Sequence, residues 1–261
     1  SQPALGTALA RRGLRIALTC KCRADEVEEA LFRQLREIGL VRAYVGIEAG
    51  WQPTLDLYAK GTTVAQNERA LATLQALGIV ADFRSLLFHP WSTLEGLRAE
   101  IAFLQRMLPH VDTALDVREV EVYPGTPLAR RLQREGRARG DPWPWAYTIA
   151  DARAELLRRL ACLIFGPAGA YERARQALSA AWFRALLTDR LGPAPDGARA
   201  LRLRGVARTL NREALAVWEE MIALAGAGDL RAEQVNEQAA AWLERINAVG
   251  LRLAAELAPA A

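Results

Sequence analysis

The chain has 261 residues, 51% of them hydrophobic and 25% charged, a composition able to bury one substantial core or two modest ones. Its formal charge of +4 comes from 34 basic and 30 acidic residues, with arginines spread along helical stretches, which reads as a solvated surface and not a nucleic-acid footprint. Three cysteines (Cys20, Cys22 and Cys162) do not make a secreted disulfide framework, and with no membrane-length apolar run and no charged-then-apolar leader the expected setting is the cytoplasm.

To about residue 125, short apolar or β-branched runs alternate with amphipathic helical patterns, the rhythm of βα units and a parallel sheet. The first strand is expected over Arg15 to Thr19, with Cys20 and Cys22 at its end. A helix then begins at Asp25, with Glu28 completing a carboxylate version of the capping box, and buries Val27, Leu31, Leu35 and Ile38. Gly39 closes it, and a second strand, Ala43 to Ile47, leads into Glu48. Thr63 and Gln66 form the next capping box, for a helix with Leu71, Leu74 and Leu77 inward and Gly78 at its close. A third strand over Ile79 to Phe88 is followed by a box of Ser92 and Glu95, which opens a helix carrying Leu94, Leu97, Ile101, Leu104 and Leu108. The fourth strand is expected over Val117 to Tyr123.

After residue 140 the pattern is helical almost throughout, broken near Gly166 to Gly169, Gly192 to Gly197 and Gly226 to Gly228. Four helices are expected, near 149–164, 168–190, 199–224 and 230–256. Trp182, Trp218 and Trp242 lie in them as helix-packing residues. The expected division is therefore 1–140, an α/β region, and 141–261, a helical region.

In parallel α/β barrels the functional groups project from the carboxyl ends of the strands, here Thr19 to Arg23, Glu48 to Gly50, His89 to Pro90 and Tyr123 to Thr126. Four strands do not close a barrel around a packed interior, where about eight are usual, so either the sheet is open here or strands are missing upstream.

Several segments, in order, resemble a known family. They are Cys22-Arg23-Ala24-Asp25, Leu-Arg-Glu-Ile-Gly-Leu at 35–40, and Tyr44-Val45-Gly46-Ile47-Glu48-Ala49-Gly50. Leu57-Tyr58-Ala59-Lys60-Gly61, Leu86-Leu87-Phe88-His89-Pro90 with Thr93, and Val122-Tyr123-Pro124-Gly125-Thr126-Pro127-Leu128 follow. Together they resemble the middle and late strands of radical S-adenosylmethionine (radical SAM) barrels, with their "GIES" strand end, "L..Kg" turn, "G.P..T" turn and "PGTPL" exit. The turn at 86–93 is most similar to that of proteins carrying a cobalamin-binding domain before the barrel.

The resemblance implies a partial, open parallel β/α barrel followed by a helical region. It also implies a cofactor set of S-adenosylmethionine (SAM), a [4Fe-4S] cluster and, in the cobalamin-type relatives, cobalamin. Such enzymes cleave SAM to a 5'-deoxyadenosyl radical, and with cobalamin a methyl transfer can follow. Three cysteines in a CxxxCxxC loop hold the cluster in that family, and this sequence has no such loop: Cys20 and Cys22 form only a CxC, with Cys162 far away. The chain opens on Ser1, and by the resemblance it begins after the family's second strand, with the cluster segment belonging to a missing N-terminal part of the same protein. The alternative is a non-catalytic remnant or scaffold that binds SAM weakly or a partner chain.

By the resemblance, Glu48 reaches the ribose or ammonium of SAM and Lys60 its carboxylate, the two charges flanking one cleft; the alternatives are a Glu48 paired with a neighbouring Arg and a solvated Lys60 at a helix-turn boundary. Arg23 and Arg84 are candidates for SAM or for pairing with Glu48, or are structural. Tyr123, Pro124 and Gly125 bring backbone near the adenine or the substrate. His89 is a substrate contact, a proton carrier or a satisfied histidine beside a proline turn. Trp143 and Trp145, in a Pro-rich loop with Tyr147, line a substrate or cobalamin pocket or plug the helical region onto the barrel. The substrate, a small molecule or a peptide, has no signature.

Overall fold

A computed structural model describes residues 2–140, 145–192, 196–227 and 232–257. The first helix, α1 (Gln2–Arg11), has no counterpart in the sequence reading and packs on α2 (Glu29–Ile38). Strand β1 is Leu18–Arg23, later than expected, because the alternating Thr-Cys-Lys-Cys-Arg, and not the apolar residues before it, matches the two-residue period of a half-exposed edge. Cys20 and Cys22 therefore lie within the strand and not past its end. A turn of 3-10 helix (Ala24–Glu26) intervenes before α2, and Arg23 N donates to Glu26 Oε2 at 2.9 Å. This contact replaces the box expected from Asp25 and Glu28.

Strand β2 (Leu40–Glu48) leads through the short helix α3 (Gln52–Leu57) into α4 (Val64–Ala76), whose Thr63–Gln66 capping box is present. Strand β3 (Val80–Phe88) and helix α5 (Leu94–Met107) follow. The cap of α5 is Thr93, whose Oγ accepts from Gly96 N at 3.1 Å, while Ser92 Oγ accepts from His89 N at 2.9 Å, so the expected Ser92–Glu95 box does not form. Strand β4 is short, Asp116–Glu119: the chain keeps one more bond to β3, from Val120 N to Phe88 O, then bends so that Val122 bridges antiparallel to Trp145. Helix α6 (Pro127–Arg134) is capped by Thr126, whose Oγ accepts from Ala129 N at 3.1 Å. Among the described residues four further helices follow, α7 (Ala152–Phe165), α8 (Ala170–Leu191), α9 (Gly197–Gly226) and α10 (Ala232–Glu256).

The four strands pair in parallel in the order β1-β2-β3-β4, leaving β1 and β4 at the edges. One face is apolar: Ala43, Val45, Ile47, Ala81, Phe83 and Leu87 are buried, and Cys20 and Cys22 pack beside them. The same core runs on into the C-terminal helices, where Trp182, Trp218 and Trp242 are each 2% exposed and Phe165 stacks on Trp218 at 5.4 Å. Among the described residues no helix is long and apolar enough to cross a membrane.

Candidate functional site at the polar face of the sheet

Strands of a parallel sheet are ordinarily buried on both faces and read as continuous apolar runs. These strands instead alternate, so the second face carries Thr19, Lys21 and Arg23 from β1, Arg42, Tyr44, Gly46 and Glu48 from β2, Asp82 and Arg84 from β3, and Asp116 and Arg118 from β4. Helix α8 crosses its amino-terminal end: Ser179 Oγ accepts from Arg42 at 2.8 Å, and Glu172 accepts from Arg118 at 2.9 Å.

At the carboxyl end, β2 finishes in a strained turn. Glu48 has φ +60°, and Ala49 N donates to Ile47 O at 2.7 Å, a three-residue closure of the γ-turn kind with Glu48 at its centre. Two buried polar side chains hold this turn from behind. Asn67 Nδ2, on α4, donates to Ile47 O and Ala49 O at 3.1 and 2.9 Å. Glu100 Oε2, on α5, accepts from Gly50 N at 2.6 Å, and burial pushes the Glu100 carboxyl up to about 7. Gly50 is required there, since a Cβ would lie 2.1 Å from the Phe103 ring. The turn thus directs Glu48 onto the polar face.

Glu48 and Lys60 do come together, but not as two walls of a cleft: Lys60 Nζ donates to Glu48 Oε1 at 2.9 Å, and the side chains are 23% and 19% exposed. Gly46 makes the space, because a Cβ there would stand 2.9 Å from Lys60 Nζ. Arg23 closes the group from β1, donating to Lys60 O at 2.8 Å while Nε pairs with Asp25 at 2.9 Å. Arg84 pairs with Asp116 at 3.1 Å and not with Glu48.

His89 is 5% exposed; its Nδ1 accepts from Trp91 N at 3.2 Å and its ring meets Tyr58 edge-on at 5.7 Å. Burial first, and then Arg131, lower its basicity to about 4, so it is a neutral residue of the turn at neutral pH. Tyr123 is half-exposed and pairs with Glu121, and Pro124 and Gly125 (φ +79°) complete the turn that caps α6. Trp145 and Tyr147 pack against Val120, Val122, Ala129 and Leu132, a cluster within the α/β half, and Tyr147 Oη reaches Phe88 O and Val120 O at 3.2 and 3.1 Å. Trp143 lies outside the described residues.

The cysteines do not fit a cluster. Burial, with Cys20 alongside, pushes the Cys22 thiol up to about 12, and burial raises Cys20 too. Among the described residues no three His, Cys, Asp or Glu side chains are grouped to hold a metal. Asn67 and Glu100 were missed by the sequence reading although each carries a signal, a polar residue on an apolar helical stripe (67, 71, 74 and 97, 100, 104).

No protein-family model matches the sequence, and no curated protein does. Solved structures do. The cobalamin-dependent S-adenosylmethionine radical enzyme OxsB with aqua-cobalamin bound matches with TM-score 0.57 and 16% identity, over 96% of this chain and 48% of that one. The same enzyme in apo, selenomethionine-labelled form gives 0.59 and 16%, over 95% and 49%. The chain spans about half the length of these structures. It therefore has the α/β fold of such enzymes: an open, partial parallel β/α barrel followed by an all-helical C-terminal region.

Proposed function

We propose that this chain is the C-terminal part of a radical SAM enzyme of the cobalamin-associated type, with residues 1–140 supplying the later strands of the barrel and 141–261 its helical support. The observation that carries the reading is the strained Glu48 turn: a non-glycine residue at φ +60°, held by two buried polar side chains, aims a carboxylate at the inner face of a barrel-like sheet. In such an enzyme a CxxxCxxC loop outside this chain would hold the [4Fe-4S] cluster, since the cysteines present here do not suit it. Bound SAM with its cluster would supply radical chemistry, and cobalamin, where used, a methyl carrier. This chain's own residues bind and orient. Glu48 accepts hydrogen bonds from the ribose or ammonium, and Lys60 meets the carboxylate once the pair between them opens, an exchange of one charge-assisted partner for another. Arg23 keeps Lys60 in place through its carbonyl. The turn at Tyr123 to Gly125 lends backbone at the rim, and Trp145 borders the substrate side, for a small molecule or peptide.

The test is to express the chain with the coding sequence upstream of it and reconstitute both forms anaerobically with iron and sulfide. The extended protein is expected to gain the absorbance of a [4Fe-4S] cluster and to bind SAM, with Glu48→Ala weakening SAM by about 1–3 kcal/mol by calorimetry. An upstream frame without CxxxCxxC, or unchanged SAM affinity in a folded Glu48→Ala protein, would leave a non-catalytic scaffold in which the Glu48–Lys60 pair is structural.

A further inference from the structure

Below the Glu48 turn, toward the amino-terminal ends of the strands, the polar face encloses a cavity of about 190 Å³ whose walls include Arg42, Tyr44, Asp82, Arg84, Asp116 and Arg175. The charges there do not balance. Asp82 pairs with Arg42. Asp116 is approached by Arg84, Arg118 and Arg175 at 3.1, 2.6 and 3.8 Å. Glu172 takes Arg118 and Arg175 at 2.9 and 2.6 Å. Four guanidinium groups thus share three carboxylates, and Lys21, 5.8 Å from the Tyr44 ring, adds a further cation from the neighbouring strand. A surplus of cations at a partly desolvated surface is unfavourable unless an anion joins it.

The geometry points to a binding site at this cavity for the oxyanion end, phosphate or carboxylate, of a small ligand. Two groups are uncommitted enough to receive it. Arg84 makes one side-chain hydrogen bond among the described residues, through Nε, and its side chain is 44% exposed, which leaves the rest of its five N–H donors for a planar or tetrahedral oxyanion. The half-buried Tyr44 hydroxyl makes no hydrogen bond among the described residues, and Lys21 stands beside it across the strand pair. Arg42, Arg118 and Arg175 are tied by their acids and set the potential without themselves turning to the ligand. At this size the cavity takes a head group and not a whole ligand, for which roughly 300–1,000 Å³ is usual. The site needs neither SAM nor a cluster and goes beyond the function proposed above.

The test is titration of the folded chain with inorganic phosphate, and separately with acetate, at constant ionic strength, followed by amide shifts in β2 and β3. Saturable shifts around Tyr44 and Arg84 are expected, the tighter of the two anions naming the oxyanion. Arg84→Gln should weaken binding by about tenfold or more and Tyr44→Phe by about threefold, with the exposed Arg33→Gln unchanged. If Arg84→Gln does not fold by circular dichroism, Arg84→Lys keeps the charge without the fork and should still lose about threefold. Absence of saturation with both anions, or equal affinity in the folded Arg84 variant, overturns the site and makes the network a clasp fastening α8 to the sheet. Glu48→Ala removes a carboxylate that acts on Tyr44 and is expected not to weaken this binding while it weakens SAM, so either proposal can fail without the other.

Discussion

Glu100 and His89 are both buried ionisable groups near the carboxyl ends of strands, and burial drives them in opposite directions. The Glu100 carboxyl is raised from its ordinary 4.5 to about 7, and the His89 imidazole is lowered from 6.5 to about 4. Between pH 4.5 and 7 the native state keeps a proton on Glu100 that the unfolded chain has released, so this contribution is full below pH 4.5 and is lost as pH rises through 7. Between pH 6.5 and 4 the unfolded chain protonates a histidine that the native state leaves neutral, so this contribution is full above pH 6.5 and is lost as pH falls through 4. Each gap corresponds to on the order of 3 kcal/mol, and over their common window the two nearly cancel. Glu100→Gln retains an oxygen for Gly50 N and removes the titration. Urea denaturation at pH 5 and pH 7.5 should therefore show the variant gaining stability relative to the parent by about 2–3 kcal/mol at the higher pH. A difference that does not change between the two pH values would mean that Glu100 ionises normally.

Helix α5 joins these residues to the fold, because it carries Glu100 and Phe103 beneath the Glu48 turn and begins at the turn that holds His89. Thr93 caps it by accepting from Gly96 N, so Thr93→Ala should cost about 1 kcal/mol, whereas Glu95→Ala, at an exposed site with no capping bond, should stay within about 0.5 kcal/mol in urea midpoints. The helices were legible in sequence wherever apolar residues recur at helical spacing, and Thr63 with Gln66 marked a true cap. Ser92 misled because a serine before a helix can also accept from a turn amide, and His89 N took it. The strands were legible as elements but not in phase: Leu14 to Leu18 is more apolar than Thr19 to Arg23, yet only the latter alternates as an edge of a one-sided sheet requires. That alternation, repeated at 42–48, 82–84 and 116–118, also announced the polar face. The contact between Glu48 and Lys60 was not readable, since a short helix and an Ala59 at φ +51° decide where Lys60 returns to the sheet.

At the scale of the whole molecule, the helical half completes the hydrogen bonding of the α/β half. The segment leading into β4 has its polar backbone met from α8 and α9: Trp182 Nε1 donates to Asp112 O at 2.7 Å, and Tyr171 Oη to Leu115 O at 2.9 Å. Asn211, fully buried, donates to Thr113 O and accepts from Leu115 N, both at 2.9 Å. At the opposite edge Arg190 donates to Ile16 O and Ile38 O at 2.9 and 2.8 Å, and Arg15 returns the contact to Leu191 O at 2.7 Å. Removing the helices would strip partners from the buried backbone groups of Asp112, Thr113 and Leu115, at about 1–3 kcal/mol each, besides exposing the core that runs through both halves. The expected outcome is one cooperative transition for the whole chain, with far-UV circular dichroism and tryptophan fluorescence coincident in urea, and no cooperative unfolding for residues 1–140 expressed alone. Asn211→Ala should move both signals together, by about 2–4 kcal/mol, since it leaves a donor and an acceptor of one strand entrance unpaired. Two separated transitions, with Asn211→Ala shifting the second alone, would show that the halves are independent in stability and that α9 merely leans on the sheet.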